Sequence, residues 1–129
     1  MLFNFAAVLV AATSIAASAV PFRRQASNEV TCSLVVGPET PVTTCTNLAA
    51  EFNLLIARNL GTDAGGGVVN IDNGGAMFLP NANGTFSVQE TFSDSVLTAA
   101  QTAAIIEGWV GEVKGGSTMD WIVEAASCT

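Results

Sequence analysis

Three cysteines, Cys32, Cys45 and Cys128, constrain this chain more than any other feature. In an oxidising compartment two of them pair. Three pairings can be written, and spacing alone does not choose among them. The pairing expected here is Cys32–Cys128, because it encloses nearly the whole domain. Closing a loop of about 100 residues stabilises by about 4.7 kcal/mol in the chain-entropy description. Set against a typical stability of ~5–15 kcal/mol, that is a large share. Cys45 is then the odd thiol. Its place at the entry to an apolar helix predicts burial, the other reading being an intermolecular bond.

The oxidising compartment is itself written at the start of the chain. Ala6 to Ala12 is almost wholly apolar, and small residues follow to Ala17-Ser18-Ala19. An apolar stretch of this kind before an A-x-A site predicts a secretory signal over residues 1–19, although no Lys or Arg precedes it. A membrane anchor is the rival reading. A spanning helix wants about 20 apolar residues in a row, and Thr13, Ser14 and Ser18 interrupt this one. Phe22-Arg23-Arg24-Gln25 follows, a dibasic pair that reads as a processing site, with two ordinary solvated arginines as the alternative. The expected organisation is a signal over 1–19, a short processed segment over 20–24, and a single secreted domain over 25–129.

That domain keeps only Arg58 and Lys114 against all eleven carboxylates, a formal net charge of −9 compared with −7 for the full chain. Nucleic-acid binding by phosphate neutralisation needs clustered Lys and Arg, so that class is set aside. Attachment to anionic membranes is set aside on the same ground. The negative surface favours solubility at neutral pH and loses that effect towards the pI near 4.1.

Hydrophobic spacing gives the order of elements. Val30, Cys32, Leu34 and Val36 alternate with Thr31, Ser33 and Val35, the period of a strand, which Pro38 and Pro41 end. Leu48, Phe52, Leu55, Ile56 and Leu60 mark one face of a helix, with Thr46 expected as N-cap, Gly61 as C-cap, and Glu51 and Arg58 on the other side. Val68, Val69 and Ile71 form a short strand in a glycine-rich stretch. Ala76 to Leu79 reads as a further short strand or a loop tip. Asn83-Gly84 is a reversal signal, and Thr85 to Phe92 alternates again. Thr98 and Gln101 form a capping box. It opens a helix whose stripe runs Ala99, Thr102, Ile106, Val110 and Val113, widened by Ile105 and Trp109, with Gly108 and Gly111 inside it, up to Gly115-Gly116. Met119, Trp121, Val123 and Ala125 form the last strand.

This order predicts an α+β, ferredoxin-like βαββαβ sandwich with two helices on one face of an antiparallel sheet. In that plan the first and last strands are antiparallel neighbours, which brings Cys32 to Cys128. One conflict stands: strict alternation puts Cys128 on the face of Asp120 and Glu124, away from Trp121 and Val123. A bulge near Ala125-Ala126, or an early end to the strand, would repair it.

Little catalytic chemistry is available. The chain contains no histidine, which removes Ser-His-Asp and Cys-His arrangements and the commonest general base. Asp120 with Glu124, and Glu107 with Glu112, are the carboxylate pairs that could in principle serve glycoside hydrolysis; a solvated acidic face accounts for them better. Gly65-Gly66-Gly67 lacks the residues of a phosphate loop. Asn70, Asp72 and Asn73 faintly resemble a calcium loop, but Asn81 stands where its bidentate Glu belongs. No cofactor or metal is expected. Asn83-Gly84-Thr85 is a glycosylation sequon on a turn. Met77-Phe78-Leu79 is the candidate partner-binding segment: an apolar knuckle if it projects, core if it tucks in. The row Thr85, Ser87, Gln89 and Thr91 is placed to line the open face of the sheet.

Taken together, the signal, the dibasic pair, the helix end Leu55-Ile56-Ala57-Arg58-Asn59-Leu60-Gly61 and the closing Asp120-Trp121-Ile122-Val123 with Cys128 resemble the small secreted proteins of basidiomycete fungi. The resemblance implies an extracellular, non-enzymatic protein of effector or signalling kind, acting on an unidentified protein or cell-surface partner. The chain is similar also to some killer-toxin-like fungal effectors, with dibasic processing and a disulfide-bonded βαββαβ sandwich. The alternative function is a protease inhibitor resembling subtilisin propeptides. Those feed a free C-terminal tail into the protease, whereas here Cys128 is followed by one residue.

Overall fold

The computed structural model describes residues 28–72 and 75–129; the expected signal and processing segments lie outside them. Eight elements follow one another: β1 (Val30–Pro38), α1 (Leu48–Asp63), β2 (Val69–Ile71), β3 (Met77–Pro80), β4 (Phe86–Asp94), α2 (Ala99–Glu107), β5 (Val113–Gly115) and β6 (Asp120–Cys128). The strands form one sheet in the order β2-β4-β1-β6-β5. All pairings are antiparallel. One edge of β4 is taken by β1, and β2 and β3 share the other: β2 opposite Phe92–Asp94, β3 opposite Phe86–Gln89. The sheet curls strongly into a half-barrel. The α+β class with two helices and an antiparallel sheet agrees with expectation. The element order does not follow the six-element βαββαβ pattern, because the chain adds a short strand before β4 and another before β6.

The helices cover one face of the sheet. That face carries Val30, Cys32, Leu34 and Val36 from β1, Phe86, Val88 and Phe92 from β4, and Trp121 and Val123 from β6. Phe52, Leu55, Ile56 and Leu60 of α1, and Ile106 of α2, close over them. The centre is aromatic. The Phe52 ring lies 4.9 Å from Trp121, 5.2 Å from Phe78 and 5.6 Å from Phe86 between centroids, in tilted and edge-on arrangements that suit the ring quadrupoles.

The conflict over Cys128 is resolved by a bulge. Val35 stands opposite Ala125 while Val36 stands opposite Val123, so Glu124 is the extra residue. The phase of β6 changes there: Trp121 and Val123 face the core before it, Ala126 and Cys128 after it. Cys32 and Cys128 are then direct register partners, and they are disulfide-bonded.

Several local expectations give way to tertiary context. The N-cap of α1 is Asn47, whose side chain accepts from the Ala50 N–H at 3.0 Å; Thr46 instead accepts from the Thr43 N–H. Gly61 stays helical, and the helix runs on to Asp63, ahead of the left-handed Gly65, Gly66 and Gly67. The Thr98–Gln101 capping box forms as expected. Its helix, however, stops at Glu107: Gly108 is the C-cap, Gly111 turns the chain with φ 90°, and Val113 opens β5. The apolar stripe misled because Trp109, one residue past the cap, is buried by a turn, and Val110 and Val113 are exposed. Cys45 is exposed, not buried, since it precedes the cap by two residues and lies on the loop side of the helix entrance.

Glu51 is the largest departure. Placed on the solvent side by periodicity, it is 1% exposed. Its carboxylate accepts from the Ser117 N–H at 2.9 Å, the Thr118 N–H at 2.7 Å, the Thr118 hydroxyl, and Trp121 Nε1 at 3.0 Å. Burial alone would raise its pKa, but these donors outweigh burial and hold it below the ordinary glutamate value.

Candidate functional site: the helix-free face of the sheet

The face away from the helices is built from the alternate residues of the same strands. Two cross-strand rows can be read from the register. Ser127, Ser33, Gln89 and Met77 stand side by side across β6, β1, β4 and β3. Ala125, Val35, Ser87 and Leu79 form the next row. Serine and alanine leave space above the sheet, and the longer Met77 and Leu79 rise at one side. The result is a trough of about 600 Å³. None of its lining residues is charged.

β3 divides the knuckle expected at 77–79. Met77 is 65% and Leu79 70% exposed, while Phe78 turns under the sheet onto Phe52. Alternation along a strand produces this split: Met77 and Leu79 face solvent, and Phe78 packs against the core. Of the polar row marked on the sequence, Ser87 and Gln89 line the trough. Thr91 pairs instead with Thr31 through hydroxyls 2.7 Å apart, and Thr85 is buried beneath the 81–84 turn. Ser33, Val35, Ala125 and Ser127 were not singled out from sequence. The signal was present for Ser33 and Val35, which alternate with the core residues of β1, but strict alternation puts Ala125 and Ser127 on the core face, and only the bulge moves them.

Asn83 lies exposed on that turn, at its end nearest β4. Its Oδ1 accepts from the Thr85 N–H at 3.2 Å and from the Thr85 hydroxyl at 2.7 Å. The paired carboxylates are surface groups. Glu107 accepts from the Cys128 N–H at 3.0 Å, and Glu112 pairs with Lys114 at 2.9 Å. Asp120 and Glu124 are exposed, the latter on the bulge, with a carboxylate oxygen over Gly37. Among the described residues no group of three or more His, Cys, Asp or Glu is placed to hold a metal ion.

A second hollow, about 400 Å³, lies between Glu39, Arg58 and the 115–120 segment and is polar, with both signs of charge on its rim. Beneath it runs the backbone that Glu51 holds. Among the described residues one buried titratable group has no hydrogen-bond partner: Glu90, 2% exposed on the core face of β4 and opposite Cys32. Burial pushes its pKa up to about 7.

Comparison of the chain with protein-family models, with curated proteins and with solved structures finds no match.

Proposed function

We propose that this chain is a secreted, non-catalytic binding protein of effector or signalling kind, and that it recognises its partner with the helix-free face. The observation that carries the reading is the composition of that face. In a chain of net charge −7, a trough free of formal charge is bordered by two large, exposed apolar side chains, Met77 and Leu79. Exposed apolar surface of this kind costs solubility and is characteristic of interaction sites. The export signal and dibasic pair support an extracellular setting, and the disulfide is of the sort that oxidation outside the cell sustains. On this reading β2 and β3 count as one interrupted edge strand and β5 as an addition, which gives a ferredoxin-like plan beneath the observed order. The sequon at Asn83 leaves a glycan at the turn beside β4, off the trough floor.

The test is a paired one. Purified secreted protein and the Met77→Lys/Leu79→Lys variant are crosslinked to intact target cells and the adducts compared. The variant is expected to lose at least ten-fold in specific adduct while keeping its folded spectrum, since both side chains are exposed. Equal labelling by the two proteins removes this face from the function.

A further inference from the structure

The trough is banded across the strands. The row Ser127, Ser33, Gln89 is polar, and none of these side chains makes a hydrogen bond among the described residues. The adjacent row is Ala125, Val35, Ser87, Leu79; its one hydroxyl, Ser87, is engaged with Asn81 at 3.1–3.2 Å. A polar stripe therefore runs beside an apolar one, both crossing the strands. The polar stripe crosses three strands and ends on Met77, about 10 Å long at the usual strand spacing, while the apolar one crosses four and is about 14 Å long.

We infer that the trough binds an uncharged, elongated amphipath, a single-chain alcohol or amide taken from solution as a monomer. This rests on the reading of the helix-free face as the binding surface, and it names the ligand class. An apolar chain would lie along Ala125, Val35 and Leu79. A hydroxyl or amide head would exchange hydrogen bonds with Ser33, Gln89 and Ser127, whose groups both donate and accept. Charge decides the rest. A carboxylate or ammonium seated here would meet no opposite charge in the lining to offset the hydration it gives up. An anion also meets the field of a chain with eleven carboxylates, and Glu124 lies just beyond the apolar row, over Gly37. The volume, about 600 Å³, is within the ~300–1,000 Å³ usual for small-molecule sites.

The experiment compares three probes of equal chain length, 1-decanol, decanamide and decanoate, each below its aggregation limit at pH 7, by ¹⁵N chemical-shift titration of the full secreted protein. Saturable shifts are expected at Ser33, Gln89 and Ser127 with decanol and decanamide, and at least ten-fold weaker binding of decanoate. Ala125→Phe, which fills the floor at an exposed position, should weaken decanol at least ten-fold with the amide spectrum otherwise intact; Ser33→Trp provides a second filling variant should the first disturb the bulge. Decanoate binding as tightly as decanol, no saturable shifts, or filling variants that bind normally would each overturn the inference. The two readings fail separately. Loss of cell-surface adducts in Met77→Lys/Leu79→Lys without any amphipath binding leaves the face as a macromolecular surface. Amphipath binding with unaltered adducts leaves the ligand and removes the partner.

Discussion

Glu90 shows what one residue can impose on the pH response of the whole chain. Folding buries its carboxyl with no donor to meet it among the described residues, and its pKa rises from 4.5 to about 7. The folded state therefore holds this proton over a range in which the unfolded state has lost it. Stability from this group is full below the unfolded value and is lost as pH rises through 7. The span corresponds to about 3 kcal/mol. Glu51 acts in the opposite sense. Its pKa is held down, so its contribution is present above the ordinary glutamate value and is lost as pH falls through the folded one. Urea unfolding of wild type and Glu90→Gln at pH 5 and pH 8 isolates Glu90 by difference, because Glu51 is ionised at both pH values and Glu29, whose pKa Asp72 also raises, is common to the two proteins. Wild type should be less stable at pH 8, and Glu90→Gln, which cannot ionise, should lose most of that difference. Parallel behaviour of the two proteins would show that Glu90 titrates normally. Neither role was legible in the sequence. Glu90 occupies a core phase between Val88 and Phe92, a visible anomaly, but Glu51 is explained only by donors that arrive from 66 to 70 residues away.

At the scale of elements, the Glu51 carboxylate fastens α1 to the turn before β6. Gly116 makes the approach possible, since a Cβ there would fall on the carboxylate and crowd the Trp121 indole. Glu51→Ala should destabilise by about 3 kcal/mol or more, because it strands two backbone N–H groups, a hydroxyl and an indole N–H in or near the core. Gly116→Ala should have a similar sense through displacement of the same oxygen. Chemical denaturation measures both, and a change within about 0.5 kcal/mol, the range of ordinary surface substitutions, would show the clasp to be dispensable. The long elements were readable because burial follows local periodicity in β1, α1 and β4. The capping box at Thr98 was readable because its chemistry is entirely local. The end of α2 was not, since Trp109 is buried by a reversal after Gly108, with its Nε1 donating to Asp63 at 2.8 Å, and a helical stripe counts any buried residue as its own. The trough was half readable. The Ser87 and Gln89 side was visible as a polar row, whereas its β6 half depends on a bulge that places Ala125 and Ser127 opposite Val35 and Ser33.

For the molecule as a whole, the Cys32–Cys128 bond and the bulge at Glu124 are two parts of one solution. The bond joins register partners 96 residues apart, and the bulge is what turns Cys128 to the side of Cys32. The same chain ends are also held by backbone: the Thr31 N–H donates to the Thr129 carbonyl at 3.1 Å and the Thr129 N–H to the Thr31 carbonyl at 2.8 Å. Since the native ladder continues past the bond, the disulfide acts chiefly on the unfolded chain, where it removes the entropy of a loop of nearly a hundred residues. Cys32→Ser/Cys128→Ser should therefore keep the native amide spectrum and the trough, yet lose about 4–5 kcal/mol in denaturant unfolding. Intact mass checks the covalent premise first: native alkylation should label Cys45 alone, and reduction under denaturing conditions should expose the other two thiols. A double variant that unfolds outright would place the bond in the native architecture itself; one as stable as wild type would mean that the unfolded chain is already compact enough for the crosslink to remove little entropy.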